Sequence, residues 1–142
     1  METSARNVFS GKVVAVNSGA VNDEVELVVE GAINIVASIT KVSTNNLGLK
    51  PGASALALIK ASFVLLMNDA DKYLLSTRNQ FAGTVSKVTP GAVNAEVIVD
   101  LPGGASIASI VTMGSINNLG LAAGKKVTAI VKASQVILAV AK

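Results

Sequence analysis

Shifting the sequence by 72 residues lays positions 4–70 onto 76–142 without a gap, and roughly 29 of the 67 aligned positions are identical. Ser4, Arg6, Asn7, Phe9 and Gly11 fall on Ser76, Arg78, Asn79, Phe81 and Gly83. Gly19-Ala20-Val21-Asn22 falls on Gly91-Ala92-Val93-Asn94, with Glu24-Val25 and Glu96-Val97 following. Asn45 to Leu49 falls on Asn117 to Leu121, and Lys60-Ala61-Ser62 on Lys132-Ala133-Ser134. The chain is a tandem duplication, so any fold must be one that a chain of half this length builds twice.

Each copy reads as a small β-domain. Val8 to Val16 is β-branched, with Gly11 placed for a bulge or bend. A turn follows at Asn17 to Ala20, replaced by Thr89-Pro90-Gly91-Ala92 in the second copy. Val25, Leu27 and Val29 alternate with glutamates, the period of a half-buried strand. Gly31 punctuates, and Ile33, Ile35, Ala37 and Ile39 alternate again. From Ser43 to Leu49 the strand pattern lapses; Ser43 is placed to cap one helical turn and Gly48 to close it. Ala53 to Met67, after Pro51-Gly52, supplies one or two last strands. The expectation is an all-β chain of two tandem OB-like barrels, 4–70 and 76–142, each with a short helical turn.

Two such copies do not stand apart. The join from Asp69 to Leu75 is too short for a flexible tether. A unit of about 67 residues is marginal alone. With 51% hydrophobic residues and 15% charged, apolar surface must be covered between copies and between chains, which predicts a homo-oligomer.

What is missing excludes much chemistry. The chain has no Cys and no His, hence no disulfides, no thiolate nucleophile, no Ser-His-Asp triad and none of the commonest metal ligands. No apolar run approaches the roughly 18 residues that span a bilayer, and the polar start does not resemble a signal peptide. These features predict a cytoplasmic protein that is not an enzyme and does not meet a membrane. A net charge of +3 is mild and suits small anions.

Three polar clusters persist in both copies. The first is Ser4-Ala5-Arg6-Asn7 and Ser76-Thr77-Arg78-Asn79; the second is Lys60-Ala61-Ser62 and Lys132-Ala133-Ser134. Both place a cation two positions from a hydroxyl, a donor-rich chemistry fit for an oxyanion; on a regular strand the Lys and Ser share one face. Solvated strand ends would look the same. The third, Gly19 to Asn22 and Gly91 to Asn94, is either a nest of backbone N–H groups or a plain hairpin turn. Glu24 and Glu96 read as surface strand positions rather than catalytic carboxylates. Phe9, Phe63, Tyr73 and Phe81 match apolar core positions, which leaves a nucleic acid or a pterin ring little to stack on.

In order and spacing, Ser-Ala-Arg-Asn, Gly-Ala-Val-Asn-x-Glu-Val, Ile39-Thr40, Leu-Gly-Leu and Lys-Ala-Ser resemble the Mop domain, the molybdate-binding module of molbindins. The resemblance covers both repeats and implies an OB-like fold with subunits around a threefold axis, here a homotrimer. It implies molybdate or tungstate bound at interfaces between domains, with no cofactor and no direct protein–metal ligand. One site class uses Ser4, Arg6, Lys60 and Ser62, and Ser76, Arg78, Lys132 and Ser134, with their neighbours Ala5, Asn7, Ala61, Thr77, Asn79 and Ala133. The other lies on the threefold axis and uses Gly19, Val21, Asn22, Gly91, Val93 and Asn94. The halves differ at Ala5/Thr77, Val42/Gly114 and Asp23/Ala95; a carboxylate beside an anion-binding turn weakens it unless it points away. The competing expectations are a single-stranded nucleic-acid module and a purely structural oligomer. A transcription regulator of this kind would need a helix-turn-helix, for which the repeats leave no room.

Overall fold

The β-branched run forms β1 (Asn7–Ser18), which turns back into β2 (Asn22–Val29) and then β3 (Ile33–Thr40). A helix of about two turns, α1 (Lys41–Leu47), leads to β4 (Ser54–Ile59), a 3₁₀ turn at Ala61–Phe63 and a short β5 (Leu65–Met67). The second copy repeats the order as β6 (Asn79–Pro90), β7 (Asn94–Asp100), β8 (Ser106–Thr112), α2 (Met113–Leu119), β9 (Lys126–Val131) and β10 (Ile137–Ala139). These elements come from a computed structural model that describes residues 1–30 and 33–142, so Gly31 lies outside the described residues.

Two antiparallel five-stranded sheets result, ordered β10-β4-β1-β2-β3 and β5-β9-β6-β7-β8. Each sheet takes its outer short strand from the other repeat. Leu65–Met67 pair with Ile130–Thr128, and Ile137–Ala139 pair with Leu58–Leu56. The exchanged strands also lie against the far edge strand, β10 on β3 and β5 on β8, which brings each sheet close to a barrel. The repeats are a unit of sequence, while each OB-like sheet is built across them.

Alternation drives the core. Along β2, Asp23, Val25, Leu27 and Val29 turn inward while Asn22 and Glu24 face out. The inward sets of both copies form one apolar cluster running from Phe9 and Val13 through Phe81, Val85 and Leu138.

Four local expectations are corrected. Gly11 is not a bulge: a Cβ there would lie 2.5 Å from the Val28 carbonyl oxygen, so glycine permits close strand approach, as Gly83 does beside Asp100. The bulge falls instead at Val14, between Val13 and Ala15 in the register with β2. Thr40, not Ser43, caps α1: its hydroxyl accepts the Ser43 N–H at 3.1 Å, and Gly48 closes the helix at φ 63°. Thr112 and Gly120 do the same for α2. Phe9 and Phe81 are core residues, but Phe63 and Tyr73 are exposed, because the 3₁₀ turn and the inter-repeat connection carry them to the surface.

Candidate functional site

The first two clusters sit at opposite ends of a repeat in sequence, and the antiparallel register closes that distance. Asn79 opposes Val131 and Asn7 opposes Ile59, so the segment entering each long strand lies beside the segment leaving β9 or β4. Lys60 and Lys132 are not on strands. Each precedes a 3₁₀ turn that bends the chain toward the other repeat, Ala61–Phe63 onto β8 and Ala133–Gln135 onto β3. The shared strand face expected for Lys and Ser is therefore replaced by a turn.

In the second copy this bend assembles an open cleft of about 540 Å³. Ser76, Thr77, Arg78, Lys132, Ala133 and Ser134 line it, opposite Glu24 and Ser38 of the first copy. Leu65 and Met67 of the exchanged β5 supply its apolar wall. Thr77 braces the entry: its hydroxyl donates to the Val131 carbonyl at 2.8 Å and accepts the Asn79 N–H at 3.2 Å.

The first copy is put together differently. Ser4, Ala5 and Lys60 line a pocket of about 230 Å³ beside Ile137 of the exchanged β10. Ser62 lines another hollow of about 330 Å³, with Asn94, Thr112 and Ser115 of the second copy. Arg6 is turned to Glu96, and the Lys60 ammonium lies 5.5 Å from the Phe63 ring centroid. Gln135 stands where Phe63 would recur, so Lys132 has no such partner.

Asn7 and Asn79, expected beside the ligand, carry a structural role in this fold. Both are buried, and their amides are spent on backbone of the other repeat. Asn79 accepts the Val36 N–H at 2.8 Å and donates to the Val36 carbonyl at 2.7 Å. Asn7 does the same at Ala108, at 2.7 and 2.9 Å, and also donates to the Ile59 carbonyl at 3.2 Å. Val36 and Ala108 are equivalent positions on the two edge strands, so the clips are reciprocal. A side chain so committed has little left for a ligand.

The Gly-led turns stand at exposed tips. Gly19 and Gly91 donate their N–H groups to Asn22 and Asn94 carbonyls at 2.9 Å, which removes the first donor of the nest considered above. Val21 and Val93 are each 72% exposed, and their carbonyls accept the N–H of Lys41 and Met113. Asp23 is inward, 2% exposed. The Thr44 hydroxyl, the Lys41 ammonium and the Gly19 N–H hold its carboxyl below the usual carboxylate range, against the opposing effect of desolvation. Ala95, Met113 and Ile116 occupy the corresponding places, so the polar trio Asp23, Lys41 and Thr44 of the first copy is apolar in the second.

Glu24 and Glu96, read from the sequence as surface strand positions, each meet an arginine of the other repeat. Arg78 reaches Glu24 at 3.1 Å and Glu26 at 3.9 Å, and Arg6 pairs with Glu96, each across the repeats. Their recurrence as Glu-Val in both copies was the available signal; which arginine they face depends on how the copies pack.

Among protein families, the TOBE domain matches residues 3–66 and 75–138. The molybdenum transport protein ModE of Herbaspirillum seropedicae is 46% identical over 99% of this chain and 52% of its own length. The molybdenum-pterin-binding protein MopA of Rhodobacter capsulatus is 45% identical over 98% of this chain and 52% of its own. The chain thus spans about half the length of these curated relatives. Among solved structures, that of the cytoplasmic molybdate-binding protein ModG with molybdate bound superposes with a TM-score of 0.96 at 46% identity, covering 99% of this chain and 100% of that one.

Proposed function

The chain belongs to the TOBE domain family, and on that premise we propose that it binds molybdate, with tungstate as the close analogue, and holds it without chemical turnover. The observation that carries this reading is the inter-repeat cleft, where Ser76, Arg78, Lys132 and Ser134 converge from two distant segments. Hydroxyls, a guanidinium fork and an ammonium are the donors a tetrahedral dianion takes up. The name of the similar ModG structure supports the same ligand. Site roles go to Ser76, Thr77, Arg78, Lys132, Ala133 and Ser134, and to Ser4, Ala5, Arg6, Lys60, Ala61 and Ser62 in the first copy. A second class is assigned to the tips at Gly19, Val21, Asn22, Gly91, Val93 and Asn94.

The assembly we assign is a homotrimer. Equivalent apolar side chains stay exposed in both copies, Leu65 at 63% and Ile137 at 64%, Val21 and Val93 at 72% each. Matched exposure at matched positions fits cover by further copies of the same chain. Among the described residues no helix is long and apolar enough to cross a membrane, and we assign intracellular molybdate storage or buffering.

Native mass spectrometry of the chain titrated with molybdate, with sulfate and phosphate as controls, tests ligand and assembly together. A trimer that takes up molybdate and ignores sulfate is the expected result. A trimer indifferent to all three anions refutes the ligand and leaves a structural oligomer.

A further inference from the structure

Neither arginine of the candidate clefts is unpartnered. Arg78 spans Glu24 and Glu26 of the first repeat, and Arg6 is paired with Glu96 of the second. Glu24 itself lines the cleft that holds Ser76, Lys132 and Ser134. The carboxylates differ in shelter: the Glu24 side chain is 53% exposed and that of Glu96 is 20%. Ile98 stands where Glu26 would recur, so Arg78 has two acidic neighbours and Arg6 one.

A carboxylate and a tetrahedral oxyanion offer the same face to a guanidinium, two acceptor oxygens for a fork of N–H groups. They compete for one fork. We propose that Glu24 and Glu96 are resident counter-carboxylates, which an arriving oxyanion must displace from Arg78 and Arg6, and that they set the affinity of the two clefts. The inference rests on the oxyanion reading above.

Two physical effects act in the same direction. Breaking the arginine–glutamate pair costs what that pair contributes, modest for an exposed pair and larger for a sheltered one. Once released, the carboxylate faces a dianion across the same cleft, and like charges in a half-buried setting repel. Each glutamate pairs its arginine across the repeats. The cost at Arg6 is the larger, because Glu96 is less able to turn into water. The Arg78 cleft, already lined by its whole donor set, therefore fills first.

Isothermal titration of the full chain with molybdate at fixed ionic strength tests this, using wild type, Glu24→Gln, Glu96→Gln and Glu24→Asp. The expected result is tightening by about two- to fivefold for one class of sites in Glu24→Gln, on the scale of an exposed ion pair. Glu96→Gln tightens the weaker class by more, and Glu24→Asp, which keeps the charge, stays near wild type. A purely structural pair would lower the unfolding midpoint in both Gln variants and leave affinity unchanged. Wild-type binding with unchanged or weakened Gln variants overturns this inference and leaves the proposed ligand standing. Absence of binding in wild type and variants alike overturns both.

Discussion

Replacing Asn79 by Ala tests the claim that the two halves are held by side-chain clips. Asn79 is fully buried, and its amide makes two short bonds to the Val36 backbone, at 2.7 and 2.8 Å. Val36 lies on β3, an edge strand, and is itself only 5% exposed. Among the described residues no second strand hydrogen-bonds that side of it. Truncation to Ala orphans a buried N–H and a buried C=O at once, each worth about 1–3 kcal/mol when left unmade. The structure thus sets the loss at about 2–4 kcal/mol, after water recovers part of it. With a urea m-value of about 2 kcal/mol/M, the midpoint falls by about 1–2 M.

Urea denaturation at one protein concentration measures this, since assembly adds its own stabilisation. Asn22→Ala, an exposed asparagine at a turn tip, is the control and shifts the midpoint little. Asn79→Asp separates donor from acceptor. It still accepts the Val36 N–H but turns a buried charge on the Val36 carbonyl, so at neutral pH it costs at least as much as Ala. In acid, protonation restores the donor and part of the loss returns. A midpoint change below about 0.3 M for Asn79→Ala, with oxyanion affinity lost instead, would refute the reasoning and return Asn79 to the ligand site.

Three further outcomes follow from the same packing. Gly11→Ala puts a methyl 2.5 Å from the Val28 carbonyl oxygen and 2.8 Å from Val29 Cγ1, and it lowers stability by about 1–3 kcal/mol in urea; wild-type stability would mean that β1 and β2 are spaced more widely. Asp23→Asn is less stable than wild type at neutral pH. Because the folded carboxyl titrates below its ordinary value of 3.8, wild type keeps this advantage above about pH 4 and loses it as pH falls further; thermal midpoints at pH 7 and about pH 3 check this, and a constant gap contradicts it. A chain of residues 1–70 lacks the β10 partner of its β4, so it dimerises by trading β5 between copies; light scattering showing a stable folded monomer contradicts the exchange.

The β-strand content, the OB-like order and the helical turn between the third and fourth strands were legible, because alternation and capping are local. Val25, Leu27 and Val29 declare their face within one strand, and Gly48 declares a helix end by its position alone. The strand exchange was not. Leu65–Met67 and Ile137–Ala139 are alike, as are the edges of β4 and β9 that receive them, so each short strand fits either sheet. What decides between them is the 3₁₀ turn at Lys-Ala-Ser, which sends the chain across to the other repeat. That motif was read as chemistry, and it is also the crossover.

Asn7 and Asn79 had a second constraint that the sequence did not separate from a ligand, the clip to the other repeat's backbone. A residue kept polar in both copies marks a shared constraint, and a ligand and a reciprocal clip impose the same one. Glu24 and Glu96 show the converse: an alternating outward glutamate looks like solvated surface until the partner repeat sets an arginine before it. In a duplicated chain, identity between copies therefore marks residues that meet across the repeats, such as Arg6 and Glu96, together with turn and cap residues such as Gly19 and Gly48. It cannot say whether they meet each other or a bound anion. For Arg6 and Arg78 both occur in turn on the scheme above, carboxylate first and oxyanion second, and charge-neutral Gln at Glu24 and Glu96 is the substitution that separates the two.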